Sequence, residues 1–246
     1  MDRLIYTAAS GAKHILEQQA TTAHNLANVS TTGFRAQIDA FRAVPVEGGA
    51  LPTRAFVLSS TVGADFSSGP LHSTGRDLDV AIKGRGWLAV QLPDGSEAYT
   101  RNGALQMNQN GLLTSAAGFA IAGDGGPISV PPEVSVMIGG DGTISSIATR
   151  TKPGAATVLG RLKLVNPPEG DLVRGDDGLF RLKNGAAAPA DPRVAVVGGA
   201  LEGSNVSPVD AMVNMIALAR SFDLQMSLMK NAENNAAKAG QILALS

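Results

Sequence analysis

The 246-residue chain ends in SPVDAMVNMIALARSFDLQMSLMKNAENNAAKAGQILALS (207–246), which has the spacing of a coiled-coil helix. Alternating steps of three and four residues reach ten positions, of which eight are apolar: Met212, Met215, Ala219, Phe222, Met226, Met229, Glu233, Ala236, Gly240 and Leu243. This is the a/d spacing with which one helix packs against another. Ser207 and Pro208 provide a helix start, and Asp210 lies in the first turn, where the helix dipole favours a carboxylate. The helix would be about 55 Å long, which is too long for one small domain to cover.

A weaker seam of the same spacing occupies residues 3–28, RLIYTAASGAKHILEQQATTAHNLAN. Its positions are Ile5, Ala9, Ala12, Leu16, Gln19, Ala23 and Leu26. Several are only Ala and one is Gln, so this helix should depend on packing for its stability. The two ends are therefore predicted to form a helical pair, antiparallel or side by side, whose small residues allow close approach of further copies. The alternative is that the C-terminal segment is an ordinary amphipathic core helix.

The stretch NVSTTGFRAQ (28–37) is predicted to end the first helix, because Asn28 and Gly33 tolerate positive φ and the Ser and Thr residues between them bond to nearby backbone. Residues 36–76 show no sustained period and are interrupted by Pro and Gly. They predict an extended connector with one or two short strands.

Residues 77–203 have the pattern of an antiparallel β domain. Seven Asp-Gly or Asn-Gly pairs, the dipeptides that favour hairpin turns, alternate with short β-rich runs; the pairs begin at Asp94, Asn102, Asn110, Asp124, Asp141, Asp177 and Asn184. Of the 29 glycines, 24 lie between Gly63 and Gly203. The predicted fold is α+β, with long terminal helices forming a coiled-coil layer around a central, antiparallel, Gly-rich β domain of Greek-key or barrel-like arrangement. The predicted segments are 1–35, 36–76, 77–203 and 204–246.

Composition and motifs argue against several functions. The net charge of -1 and the charged fraction of 17% disfavour nucleic acid as a partner. No apolar window predicts a membrane span or a cleavable signal peptide. The absence of cysteine removes disulfides and thiol chemistry. His14 and His24 are too far apart along a helix to share a metal, and Asp77 with Asp79 is better explained by a strand salt bridge. No catalytic, cofactor-binding or metal-binding residues are predicted.

Two stretches resemble signatures of the flagellar basal-body rod and hook proteins. HNLANVSTTGFR (24–35) is similar to the N-terminal signature N-N-L-A-N-x-x-T-x-G-F, with His24 in place of the first Asn; the matching residues are Asn25, Leu26, Ala27, Asn28, Gly33 and Phe34, with Thr31 and Thr32 around the signature threonine. EGSNVSPVDAMVNMIALARSFD (202–223) resembles the C-terminal signature through Ser204, Asn205, Val206, Met212, Ile216, Arg220 and Phe222. The chain start and residues 74–115 look most like the proximal-rod members of the family.

This resemblance implies a structural subunit of the proximal rod, without enzymatic activity or cofactor. Family members pass unfolded through the flagellar type III export apparatus, without a cleaved signal peptide, and polymerise in the periplasm with copies of themselves and other rod subunits. The residues expected to make assembly contacts are Ile5, Ala12, Leu16, Ala23, Leu26, Asn205, Val206, Met212, Met215, Ile216, Phe222, Met226 and Met229.

Asn25, Asn28, Thr32, Gly33 and Phe34 are expected to fix the exit of the chain from the helical layer. The alternatives are a distal-rod or hook subunit and, from another class of protein, a secreted β-domain hydrolase with helical ends.

Overall fold

A computed structural model of the chain describes residues 4–45, 55–131, 134–148 and 157–243. The chain divides into two compact units. The helical unit comprises Met1–Asn28, Gln37–Asp65 and Val206–Ser246, and the β unit comprises Val29–Ala36 and Phe66–Asn205. Terminal helices and an antiparallel β centre confirm the predicted α+β class. The segment 29–36, however, belongs to the β unit.

The helical unit contains two long helices. The N-terminal helix α1 spans Leu4–Ala27 and the C-terminal helix α2 spans Pro208–Leu243. The start of α2 follows the sequence signal, because the Asp210 N–H donates to Ser207 Oγ at 3.3 Å and the Ala211 N–H donates to the Ser207 carbonyl at 3.0 Å. The two helices pack against each other.

The packed face of α2 follows a regular step of four and three residues. Its buried or half-buried members are Ala211, Met215, Leu218, Phe222, Gln225, Met229 and Ala232. The Gln225 side chain lies against Gly11 of α1, 3.3 Å from where a Cβ of residue 11 would stand. The first residue of α1, Leu4, is seven residues before Gly11, and Ala232 is seven residues after Gln225. In an antiparallel pair, these equal offsets in opposite directions would bring Leu4 level with Ala232, where the packed face of α2 ends.

This face differs in part from the predicted a/d seam. Met215, Phe222 and Met229 lie on both, whereas Met212 and Met226 are exposed on its flank. Of the predicted α1 seam, Ala12 is buried and Ile5 and Leu26 are half-buried, but Ala9, Leu16 and Ala23 are exposed. The sequence periodicity could not distinguish the packed face from this flank, because α2 carries apolar residues on both. Glu233 and Gly240, the two interruptions of the predicted seam, lie beyond Ala232 and are exposed.

A long hairpin completes the helical unit. Strand β1 (Gln37–Pro45) pairs antiparallel with β2 (Ala55–Ala64), with an irregularity between Ala40 and Phe41. It packs on α1, where the His14 and Phe41 rings meet edge-on at 5.6 Å. Strands of nine and ten residues replace the short strands expected in the connector. The sequence did not predict these long strands, because neither face of β1 is uniformly apolar. One face carries Gln37, Asp39 and Phe41, and the other carries the exposed residues Ile38, Ala40 and Arg42.

The β unit contains sixteen strands among its described residues: β3 (Leu71–Ser73), β4 (Val80–Lys83), β5 (Trp87–Gln91), β6 (Glu97–Thr100), β7 (Leu105–Met107), β8 (Leu113–Ser115), β9 (Ala120–Gly123), β10 (Gly126–Pro127), β11 (Val134–Ile138), β12 (Thr143–Ala148), β13 (Thr157–Arg161), β14 (Leu164–Val165), β15 (Leu172–Arg174), β16 (Phe180–Leu182), β17 (Ala195–Gly198) and β18 (Ala200–Glu202). A 3₁₀ turn, Glu169–Asp171, precedes β15.

All strand pairs of the β unit are antiparallel among the described residues. One sheet has the order β15-β16-β6-β5-β9-β8-β7, with β10 on β9 and β14 on β5, and a second has the order β11-β12-β13. The last two strands return to the first, since β17 pairs with β4 and β18 pairs with β3. The unit is thus closed by its C-terminal end.

Five of the seven predicted turn dipeptides join paired neighbouring strands, namely those beginning at Asp94, Asn110, Asp124, Asp141 and Asp177. The prediction is wrong for the other two. Gly103 allows a close backbone approach, because a Cβ there would lie 1.7 Å from the Val80 carbonyl oxygen. Asn184-Gly185 follows β16 in a turn that leads into a loop.

Candidate functional site

The two sequence signatures meet inside the β unit. We call this region the junction; it comprises residues 29–36, 66–69 and 202–205 together with Arg101. The Gly33 N–H donates to the Glu202 carbonyl at 2.7 Å, and the Asn205 N–H donates to the Phe34 carbonyl at 3.4 Å. The Ala36 N–H donates to Asn205 Oδ1 at 2.7 Å. The segment after α1 is therefore held by the segment before α2.

Asn205 ties three segments of the junction together. While its Oδ1 accepts the Ala36 N–H, its Nδ2 donates to the carbonyl oxygen of Ser67 at 3.1 Å and to Ser67 Oγ at 3.2 Å. A side-chain amide carries both a donor and an acceptor, so it can stand in for a peptide group between two strands. Asn205 was predicted as an assembly contact; here it lies among backbone partners of its own chain.

Gly33 is required by its surroundings. Its φ of +69° lies in the left-handed region that L side chains rarely adopt. A Cβ at this position would lie 2.4 Å from both the Arg101 carbonyl carbon and the Asn102 nitrogen. Both the backbone conformation and the close contact therefore select glycine, which gives a physical reason for this residue in the N-terminal signature.

Three buried charged side chains lie at the centre of the junction. Arg35 Nη2 donates to Glu202 Oε1 at 2.7 Å and Arg101 Nη1 donates to Glu202 Oε2 at 3.0 Å. The Gly69 N–H also donates to Glu202 Oε1, at 2.9 Å, and Arg101 Nη2 donates to the Gly84 carbonyl at 2.6 Å. Burial lowers the pKa of Arg101, although Glu202 acts in the opposite direction. Removing one partner of such a buried pair is strongly destabilising.

Aromatic contacts surround these charges. The Arg174 guanidinium lies over the buried Phe34 ring, 4.5 Å from its centroid, and Arg174 Nη1 donates to the Arg35 carbonyl at 3.0 Å. Burial lowers the pKa of Arg174. The Arg101 guanidinium lies 5.4 Å from the centroid of the Trp87 ring. Cation–π contacts of this kind stabilise buried guanidinium groups.

Phe66 packs against a neighbouring aromatic pair. Its ring centroid is 5.8 Å from that of Trp87 and 5.7 Å from that of Phe180. Trp87 and Phe180 are themselves 4.6 Å apart. The start of the 66–69 segment is thereby anchored to strands β5 and β16.

The two asparagines of the N-terminal signature act inside the helical unit. Asn25 Nδ2 donates to the Gln37 carbonyl at 2.9 Å, and its Oδ1 accepts the Gln37 N–H at 2.8 Å. Asn28 Nδ2 donates to the His24 carbonyl at 2.9 Å, which satisfies a carbonyl in the last turn of α1. Asn25 thus fixes the start of β1 on the end of α1, and Asn28 ends the helix. Thr32 is half-buried in the β unit.

The charged residues of the junction were missed from the sequence. Arg35 directly follows the N-terminal signature and Glu202 begins the quoted C-terminal stretch, but they are separated by 167 positions. No local pattern pairs residues so distant. The only local signal is a carboxylate at the end of the short run ALE, which becomes β18.

The second candidate surface is the part of α2 that α1 leaves uncovered. An outer stripe, opposite the packed face, comprises Val209, Val213, Ile216 and Leu224, each at least 57% exposed. A flank stripe comprises Met212 and Met226, at 53% and 45% exposed, with Ala219 between them. Exposed apolar side chains that lie close together on a surface mark a site of interaction with another protein, so both stripes are candidate contact surfaces.

The remaining predicted assembly residues on the helices differ in exposure. Ile5, Leu26, Val206, Met215, Phe222 and Met229 are half-buried and Ala12 is buried, whereas Leu16 and Ala23 are exposed. Leu16 and Tyr6 are the large apolar side chains exposed on the described part of α1.

A groove of the β unit has a volume of about 670 Å³, and its lining includes Pro167, Pro168, Pro189 and Pro192. Arg193 at its rim is paired with Asp191 at 2.8 Å. The described ranges contain no group of three metal-binding side chains. Neither helix, over its described residues, has a stretch long and apolar enough to cross a membrane.

Three sequence families match the chain in order. Residues 5–35 match the family described as "Flagella basal body rod protein". Residues 81–146 match "Flagellar hook protein FlgE/F/G D1 domain", and residues 197–242 match "Flagellar basal body rod FlgEFG protein C-terminal". The terminal matches contain residues 29–35 and 202–205, which meet in the structure.

Full-length relatives agree with these matches. The chain is 49% identical to the flagellar basal-body rod protein FlgF of Salmonella typhimurium, with all of both chains covered, and equally so to that of Escherichia coli. It is 32% identical to FlgF of Caulobacter vibrioides, with 94% of each chain covered. The chain belongs to the flagellar basal-body rod protein family. Within that family its sequence is most similar to the FlgF proteins among these relatives, ahead of a FlgG from Buchnera aphidicola at 29% identity.

Proposed function

We propose that the chain is a structural subunit of the proximal flagellar rod that assembles through its terminal helices. The likeness to FlgF over its full length supports membership of the rod. The exposed apolar surface of α2 is the observation that carries the assembly mechanism. In this proposal the chain passes unfolded through the type III export apparatus, without a cleaved signal peptide, and is built into the periplasmic rod with copies of itself and other rod subunits.

The amount of exposed apolar surface on α2 supports the proposal that neighbouring subunits cover the rest of this helix. Full burial of a Val, Leu, Ile or Met side chain contributes roughly 1.5–3 kcal/mol. The outer and flank stripes contain six such side chains, each already partly covered, so their burial would contribute on the order of 5–8 kcal/mol. That gain is of the size needed to offset the association entropy of one subunit.

The positions of the two stripes on α2 indicate how copies of the chain would contact one another. The outer and flank stripes lie on different sides of one helix, so one copy would contact two neighbours through different surfaces. Contacts between unlike surfaces that do not close into a ring generate open helical filaments. A coiled-coil layer made of terminal helices is consistent with this geometry.

In the same proposal, the junction supports assembly by fixing the path of the chain between the two units. Asn25 and Asn28 hold the chain in the helical unit up to residue 28, and Gly33 and Phe34 hold it in the β unit from residue 29 onward. In this proposal they fix the point at which the chain leaves one unit and enters the next. A subunit whose chain leaves at a constant point presents its α2 surfaces reproducibly to its neighbours.

Replacing Ile216 with Asp in the full-length chain tests this function, because it puts a charge in the centre of the outer stripe, where the side chain is 57% exposed. The matched control is Ile216→Leu, which keeps the surface apolar. Each variant is expressed in cells that lack their own FlgF. Ile216→Asp should abolish motility and be absent from purified basal bodies, while the isolated chain unfolds at the wild-type denaturant concentration. Ile216→Leu should restore motility.

Wild-type motility with Ile216→Asp would contradict assembly through this surface. Rescue of cells lacking FlgG, but not of cells lacking FlgF, would instead favour the role of a different rod subunit.

A further inference from the structure

The junction contains more buried positive than negative charge. Two guanidinium groups share one carboxylate, and the Arg35 and Glu202 side chains are fully buried while that of Arg101 is 3% exposed. Arg35 Nε, Arg35 Nη1 and Arg101 Nε are buried and make no hydrogen bond to any described part of the chain. Two like charges at close range in a medium of low dielectric repel each other strongly. Glu202 is the acidic group that compensates them both.

These three groups come from distant parts of the chain. Arg35 lies in the segment 29–36, Arg101 follows β6, and Glu202 ends β18, the last strand of the β unit. Glu202 is 101 positions from Arg101 and 167 from Arg35. It reaches the junction only when β18 has paired with β3, since Glu202 is itself the residue that pairs with Leu71.

We propose that Glu202 controls when the β unit closes: the segment 29–36 docks only after β18 has brought this carboxylate between Arg35 and Arg101. Before that step, both guanidinium groups are better solvated by water than buried together. The partners of the Gly33 and Ala36 N–H groups also arrive with the same stretch, at Glu202 and Asn205. In a chain that lacks residues 202–246, the segment 29–36 therefore stays undocked.

The consequence goes beyond a role as a rod subunit. Residues 29–36 can dock only when the C-terminal residues of the same chain are present. An incomplete or incompletely exported chain therefore cannot fix the point at which its backbone leaves α1. Packing of α1 against neighbouring subunits would then depend on completion of the same chain.

Glu202→Gln in the full-length, monomeric chain tests the role of the charge, because the amide keeps the shape and one acceptor. Hydrogen exchange is followed at Gly33 and Ala36 and, for comparison, at Ala89, whose N–H donates to the Lys163 carbonyl in the main sheet. Protection of Gly33 and Ala36 should fall by about 100-fold, as expected when a buried ion pair loses one partner. Protection of Ala89 should change by less than about threefold.

The double variant Arg35→Met with Glu202→Gln separates charge repulsion from loss of packing. Removal of one guanidinium should restore the protection of Ala36 by at least about tenfold relative to Glu202→Gln alone. Unchanged protection in the single variant, an equal loss at Ala89, or no recovery in the double variant would each overturn the proposal.

Wild-type refolding gives a test that does not depend on the stability of any variant. In pulse-labelled exchange, Ala89 should become protected before Gly33. Simultaneous protection, or protection of Gly33 first, would also overturn the proposal.

Discussion

Gly33→Ala should be among the most damaging single-methyl changes in the junction. The left-handed conformation alone costs an alanine about 1–2 kcal/mol. In addition, the new Cβ would lie 2.4 Å from the backbone of Arg101 and Asn102, about 1 Å closer than ordinary contact. Relieving that overlap moves residue 33 away and breaks its hydrogen bond to the Glu202 carbonyl, which adds about 1–3 kcal/mol. The expected loss in the free energy of unfolding is about 2–5 kcal/mol.

The chain offers a matched control at Gly185. Its φ is +68°, almost identical to the +69° of Gly33, but nothing lies within 4 Å of where its Cβ would stand. Gly185→Ala should therefore cost only the conformational part, about 1–2 kcal/mol. Urea unfolding can be followed by the fluorescence of Trp87, the single tryptophan, which is 3% exposed inside the β unit. Equal losses for the two variants would refute the contact at residue 33 as the reason for glycine in the signature.

Two further predictions concern individual side chains. Asn25→Ala should remove both hydrogen bonds to the Gln37 backbone and destabilise the helical unit by about 1–2 kcal/mol; amide exchange at Gln37 should accelerate, and an unchanged rate would disprove the role of Asn25. The hydrogen bonds from Arg193 hold the pKa of Asp191 at about 2, below the ordinary 3.8. Because the folded-state pKa is lowered, any stabilisation by this pair is present above pH 3.8 and is lost as the pH falls towards 2. An NMR titration should show the low midpoint in the wild type and a return towards 3.8 in Arg193→Gln; equal midpoints would contradict the pairing.

Local signals in the sequence were sufficient for the ends of the chain and for much of the sheet. Ser207 and Pro208 mark the start of α2, and five Asn-Gly or Asp-Gly pairs mark hairpins, because each depends on the conformational preference of adjacent residues. The same dipeptide failed at Gly103, where tertiary contact with Val80 decides the backbone. A local rule cannot anticipate such a contact.

Which face of α2 meets α1 depends on information that periodicity does not contain. Met212 and Met215 are both apolar and differ by less than one turn, yet Met215 is half-buried and Met212 is exposed. Once α2 is seen to be apolar beyond its packed face, the stretch that first suggested a coiled-coil seam becomes a helix with one covered side and two exposed apolar stripes. The junction was missed for a related reason, since the ion pairs of Glu202 exist only after distant segments have folded together.

The most direct test of the central claim is the reactivity of a single cysteine on the outer stripe before and after assembly. The natural chain has no cysteine, so Val213→Cys introduces a unique thiol at a site that is 60% exposed. Ala211→Cys, on the packed face of the same helix at a site that is 7% exposed, is the control and should react slowly with a maleimide in every state. Val213→Cys should react rapidly in the isolated chain and at least about tenfold more slowly in basal bodies purified from motile cells. Equal rates of reaction in the two states would contradict assembly through α2.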